Sequence, residues 1–190
     1  MIGKCANIIV DWLIKSKVVE ENEKELYSYA LYNLVLSISP LLLAIGFGLC
    51  MRSISKSVVV ILPFMIIRKY SGGYHTKHLW SCLLCSSLSL FLSIILSLYL
   101  KCGWLLALLT IGAIVSLVYF SPIDNENRTL SKDEKVRYKK TTIILLFFIL
   151  LIDVLLFCFE QYAYSVCISV GIMLSASLQF PCILKNDQKK

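Results

Sequence analysis

Long apolar runs separated by short charged segments set the pattern of the chain. Leu26–Met51, Leu79–Leu100, Cys102–Ile123 and Gln161–Leu184 contain no charged residue, and Thr141–Phe159 is interrupted only by Asp153. Runs of roughly 18 or more apolar residues mark candidate membrane-spanning helices. A helix satisfies its own backbone N–H and C=O groups without water, so these runs predict α-helices in lipid. The period-2 alternation of a membrane β-barrel is absent. A further run, Ser57–Ile67, has only 11 residues, or 15 counted from Ser53, and segments of that length can be re-entrant. The pattern predicts an all-α integral membrane protein with about six transmembrane helices and an N-terminal interfacial amphipathic helix.

The expected organisation is one membrane-embedded domain over 1–190: an amphipathic helix and acidic linker at 1–25, a transmembrane bundle at 26–184, and a basic tail at 185–190. In the first part Ile2, Cys5, Ile9, Trp12 and Leu13 share one helical face, and Lys4, Asn7, Asp11 and Lys15 lie on the other. Such a helix lies in the bilayer interface or packs on the bundle. Glu20–Glu25 reads as a solvated acidic face. In the first span Pro40 can kink the helix, and Gly46 and Gly48 can let a neighbour approach closely. Ser121–Lys140 is the longest hydrophilic segment, with four acidic and six basic residues, and is expected to be a loop.

Composition sharpens the class. The chain is 58% hydrophobic and 16% charged, with a mean hydropathy of +0.77, against about 45–50% and 25% for soluble domains. The formal charge of +7 is not read as a nucleic-acid footprint, because the basic residues sit between apolar runs, where they set orientation and meet anionic lipid. With six spans and the N-terminus inside, 16 of the 19 Lys and Arg residues are cytoplasmic, leaving Arg52, Lys56 and Lys101 outside. If Ser57–Ile67 does not span, the split falls to 14 against 5. Arg68–His78 is cytoplasmic in either arrangement. No secretory signal pattern opens the chain, and most of the eight cysteines fall within apolar runs, as reduced thiols behaving like small hydrophobes.

The chemistry concentrates in one polar break, RKYSGGYHTKHLWSCLLC, from Arg68 to Cys85. It holds both histidines, His75 and His78, and is followed by Cys82 and Cys85. A cysteine nucleophile needs a thiolate, and a nearby imidazole generates one. His78 and Cys82 are four residues apart, which makes them neighbours on one helix. His75 and Cys82 are seven apart, about 10 Å along a continuous helix, too far for direct proton transfer. Gly72 and Gly73 can break the helix before His75, and a chain that folds back there brings His75 to Cys82. A cysteine at the first turn of the next span also gains from the helix dipole.

The string RKYSGGYHTKHLWSC resembles the signature of the AgrB family, the accessory-gene-regulator membrane peptidases of Gram-positive quorum sensing. The pattern is a basic residue, a small-residue stretch, a histidine, six residues and a cysteine, matched here by Arg68, Gly72, Gly73, His75 and Cys82. A later P-x-D-x-x-N-like segment (Pro122, Asp124, Asn127) also fits, and the resemblance covers nearly the whole chain. It implies a membrane cysteine endopeptidase that cleaves the C-terminal part from a short AgrD-type propeptide. Cys82 is then the nucleophile, His75 the general base and acid, and the peptide is held as a thioester that a thiol or hydroxyl of the peptide attacks to close a ring. It further implies no metal or other cofactor, a homodimer, and the cell membrane of a Gram-positive bacterium, with the catalytic stretch at the cytoplasmic face. His78 and Cys85 are not part of the carried-over pattern.

Other residues have two readings each. Arg68 is a candidate for substrate carboxylate or oxyanion contact, or an interfacial snorkelling cation. Gly72 and Gly73 supply turn geometry or backbone N–H groups. Asp124 orients His75, as in triads, or caps its loop. Asp153, inside a run, is costly in lipid and is expected to face protein or water. Two rival functions remain open: a site in which His75, His78, Cys82 and Cys85 hold a metal or cycle as a dithiol, and a small membrane transporter or scaffold.

Overall fold

The computed structural model describes residues 2–16, 18–71, 79–123 and 131–180, with residues 2–7, 32, 33, 36 and 79–86 as backbone only. Among these residues there is no strand. The α-helices are α1 (Ile2–Lys15), α2 (Lys24–Cys50), α3 (Ile54–Ser71), α4 (Leu79–Tyr99), α5 (Trp104–Phe120), α6 (Lys132–Cys158) and α7 (Tyr162–Ser177). The all-α expectation holds. The chain divides into two compact units, 1–42 and 43–190, the division falling just past Pro40, which lies inside α2.

In the first unit Asp11 of α1 pairs with Lys24 at the start of α2 at 2.7 Å. Ile8, Ile9 and Trp12 are exposed, while Val10 and Val19 are buried. Two members of the apolar face read from the sequence, Ile9 and Trp12, are among the exposed residues.

The second unit is built around α7. This helix is buried over most of its length and packs against α3, α4, α5 and α6. Its composition explains the position: Ser165, Ser169, Gly171, Ser175 and Ala176 are small, and small residues let helix backbones approach closely where lipid removes the hydrophobic drive between helices. Gly171 shows the requirement directly. A Cβ there would run into the backbone carbonyl of Val60 on α3 and would touch the ring of Pro63 at 3.4 Å. Two buried clusters flank α7. One joins Ile67, Leu117, Leu146, Ile149, Ile168 and Ile172; the other joins Val60, Leu106, Val166, Cys167 and Val170.

Contacts at the two ends of this unit give the helix directions. At one end the Tyr164 hydroxyl donates to Ser55 Oγ at 3.4 Å, so α3 and α7 start together. At the other end the Ser71 carbonyl accepts from the Ile123 backbone N–H at 3.1 Å and from Gln179 Nε2 at 3.3 Å. Thus α3, α5 and α7 finish together. Tyr138, near the start of α6, meets Tyr70 edge to face at 5.9 Å between centroids. Leu100, after the end of α4, packs by the Val60 and Leu106 cluster at the opposite end. Helices α3 to α7 therefore run alternately up and down, the order that short connections favour.

The outward faces are apolar. Leu88, Leu92 and Leu96 of α4, Leu108, Ile111 and Val115 of α5, and Phe147, Phe148 and Leu151 of α6 are all exposed. Soluble proteins rarely show contiguous apolar surface of this kind. Among the described residues α6 is the one helix long and apolar enough to cross a membrane; the apolar parts of α2, α4, α5 and α7 are shorter.

Several sequence expectations change. The ambiguous run Ser57–Ile67 lies inside an 18-residue helix, α3, about 27 Å long, with Val60, Ile61, Phe64 and Ile67 buried. Arg68 and Lys69 form its last turn and so belong to the helix, where cations favour the C-terminal dipole. The segment read as a loop to Lys140 is helical from Lys132. A capping box starts α6: Glu134 N–H donates to Ser131 Oγ at 3.2 Å and Ser131 N–H donates to Glu134 Oε2 at 2.9 Å. The S-x-x-E signal was present in the sequence. Helix α7 stops at Ser177, short of Cys182. Gly48 does admit a neighbour, with Ser57 Oγ 2.8 Å from a would-be Cβ, but Gly46 faces open space.

Candidate active site

Of the proposed dyad, the described residues include only the backbone of Cys82. Ser71 ends α3, and Cys82 lies on α4 three residues after its first residue, Leu79. The backbone of Cys82 is therefore helical, near the start of the described part of α4. Its side chain, that of Cys85, and all of Gly72, Gly73, His75, His78, Asp124 and Asn127 lie outside the described residues. The same holds for the four residues of the metal or dithiol reading. Among the described residues no group of three metal-ligating side chains occurs, and Cys50, Cys102, Cys158 and Cys167 are free thiols.

Arg68 is half-buried, its guanidinium 5.5 Å from the centroid of Phe64, one turn back on α3. Lys69 sits over Tyr70 at 5.6 Å, and Tyr70 in turn meets Tyr138. Cation–π contact and the helix C-terminus both steady these charges. The cationic last turn of α3 thus lies one residue before Gly72 along the chain.

Beneath that turn is a buried polar knot. Ser71 is the last described residue of α3, and its carbonyl is an acceptor for groups from other parts of the chain. It is satisfied from two other places: the Ile123 N–H after α5 and the Gln179 amide after α7. Gln179 is completely buried, and its Nε2 also donates to Ser121 Oγ at 3.0 Å. A carbonyl only accepts, which fixes the amide orientation with nitrogen towards Ser71. Gln179 Oε1 is then buried with no hydrogen-bond partner among the described residues. Two donated bonds add about 1 kcal/mol each, while an unsatisfied buried acceptor costs about 1–3 kcal/mol, so the amide gives little net stability. Ser71 immediately precedes Gly72 and Ile123 immediately precedes Asp124. The two segments that carry the motif residues therefore depart from hydrogen-bonded neighbours.

At the opposite end of α6 the buried Asp153 accepts from Ser169 Oγ of α7 at 3.2 Å. The expectation that Asp153 faces protein is met.

Residues 6–180 match the model of the family described as AgrB, accessory gene regulator B. The chain belongs to the AgrB family. Two relatives from Clostridium perfringens are similar over most of their length. The protein named "Putative AgrB-like protein" in strain SM101 / Type A is 24% identical over 196 residues, covering 96% of this chain and 90% of that protein. The protein named "Putative AgrB-like protein 2" in strain 13 / Type A is 25% identical over 167 residues, covering 82% and 77%. No solved structure matches the chain. AgrB membership sets the chain in the context of quorum-sensing propeptide processing at a membrane, and the apolar outer surface agrees with the membrane part.

Sequence reasoning overlooked Ser71, Ser121 and Gln179 in this AgrB chain. Gln179 is a lone amide near the end of an apolar run, and that isolation was the available signal. What the amide bonds to could not be read, because its partners lie 108 and 58 residues away.

Proposed function

We propose that this protein is a multi-pass membrane cysteine endopeptidase that cleaves the C-terminal part from an AgrD-type propeptide. Helices α2 to α7 cross the bilayer, with the N-terminus and the polar 72–78 and 124–130 segments on the cytoplasmic side. The charge distribution supports that orientation, since 16 of 19 Lys and Arg residues fall on that side. What carries the reading is Cys82 seven residues beyond His75, the spacing of the family signature, in a chain that belongs to the AgrB family.

In the reaction His75 accepts the Cys82 thiol proton, and the thiolate sulfur attacks the carbonyl carbon of the scissile peptide bond. The C–N bond breaks as the imidazolium returns the proton to the leaving amine, which departs as the C-terminal fragment. The N-terminal part stays on Cys82 as a thioester. A thiol or hydroxyl within it then attacks the same carbon, closing a thiolactone or lactone and releasing Cys82 after proton return. Arg68 is suited to bind a substrate carboxylate, and backbone N–H groups at Gly72 and Gly73 to hold the oxyanion. Asp124 orients His75. The enzyme works as a homodimer in the cell membrane of a Gram-positive bacterium.

The test is co-expression with the propeptide encoded nearby. Cys82→Ala and His75→Ala should abolish cleavage, and His78→Ala should retain it. Cleavage by Cys82→Ala refutes the nucleophile. An active His75→Ala beside an inactive His78→Ala transfers the base to His78.

A further inference from the structure

We propose that Gln179 is a positioning residue for the peptidase site, tying Ser71 at the end of α3 to the chain that follows α5. The inference rests on the peptidase reading above and adds to it a residue from just after α7.

Three helix ends converge on this side chain. Its Nε2 donates to the Ser71 carbonyl at 3.3 Å and to Ser121 Oγ at 3.0 Å, and the Ile123 N–H donates to the same Ser71 carbonyl at 3.1 Å. The knot sets the distance between the residue before Gly72 and the residue before Asp124. It is also rigid, since Gln179 is completely buried and Ser71 and Ser121 nearly so. Its bonds are not an economical source of stability, because Oε1 is left buried without a partner among the described residues. An apolar side chain of similar volume would fill the space without that penalty. What the amide supplies, and an apolar side chain cannot, is a second link beside the Ile123–Ser71 backbone bond, one that also ties the chain after α7 to both segments. A dyad that works only when an imidazole comes within hydrogen-bond reach of a thiol depends on where its segment is anchored.

The experiment uses the full-length protein purified in detergent with a synthetic propeptide. It compares wild type, Gln179→Met, which keeps the volume and loses both donors, and Ser121→Ala, which removes one acceptor at little packing cost. Cleavage is resolved into kcat and KM, and the pH dependence of Cys82 alkylation is followed by mass spectrometry of the Cys82 peptide. Thermal unfolding reports folding separately. The expected result for Gln179→Met is a fall in kcat on the order of 100-fold, as a misplacement of about 1 Å produces, with KM changed less. Its Cys82 alkylation profile should move to higher pH, towards that of an unassisted thiol. Ser121→Ala should move both quantities the same way by less. Wild-type kcat and alkylation profile in folded Gln179→Met overturn the inference, as does lost activity that only tracks lost folded protein. If Gln179→Met does not fold, unchanged kcat and alkylation in Ser121→Ala overturn it. Cleavage that survives Cys82→Ala overturns the peptidase reading, and this inference with it.

Discussion

The close approach of α7 to α3 at Gly171 can be tested by adding one methyl group. Gly171→Ala puts a Cβ against the Val60 carbonyl, and the Pro63 ring at 3.4 Å closes the same space. Neither obstacle is the end of a flexible side chain: one is helix backbone and the other a proline ring fixed to it. The helix must therefore shift, and α7 is held by four others. Overpacking a filled core costs about 1–3 kcal/mol, and a backbone clash belongs at the upper end. Against this, alanine in place of a helical glycine gains about 0.5–1 kcal/mol. The net loss is about 2 kcal/mol, or about 4–8 °C in Tm for a chain of this size. Gly46→Ala and Gly112→Ala are the controls, because a Cβ at either meets nothing within 4 Å. Both should be neutral or raise Tm. Thermal unfolding in one detergent, followed by intrinsic fluorescence, compares all three. A Gly171→Ala protein within 1 °C of wild type, or three variants moving together, would refute the packing argument; the 1 °C limit is set well under the roughly 2 °C expected per kcal/mol.

Ser131→Ala removes the capping box at the start of α6 and should cost about 1 kcal/mol, read as a lower Tm and faster amide exchange in the first turn of α6. Ser169→Ala removes one α7 donor from the buried Asp153 and should destabilise by about 1–3 kcal/mol; adding Asp153→Leu should recover part of the loss, measured by the same unfolding assay. The Asp11 carboxylate raises the Lys24 ammonium above its ordinary value of 10.5, first by a hydrogen bond and then by charge attraction. A raised folded-state value means that the pair's contribution is complete below 10.5 and fades as pH climbs through the higher folded value. The difference between wild type and Asp11→Asn, small at neutral pH because both groups are exposed, should therefore shrink further above that range in unfolding measurements.

The apolar runs located the helices well, because a backbone in lipid has no alternative to internal hydrogen bonding. Boundaries failed where charged residues continue a helix beyond the apolar run. Arg68 and Lys69 extend α3, and Lys132 to Lys140 open α6; window hydropathy sees the charge, whereas caps and the dipole decide the end. Within the candidate site, spacing alone paired Cys82 with His78, and the family signature paired it with His75; of these residues only the backbone of Cys82, helical within α4, is described. The His75 bend lies outside the described residues.

By itself the sequence determined the all-α class, the approximate helix positions and the family, since each is written in local pattern or spacing. Only the tertiary structure decided that α7 is the central helix, that Gly171 must have no side chain, and that Ser71, Ile123 and Gln179 meet. The reason is physical. Hydropathy treats burial in lipid and burial in protein alike, so a run of apolar and small residues reads the same at the rim of a bundle and at its centre. Close backbone approach and hydrogen bonds between residues 58 and 108 positions apart exist only once the helices have packed.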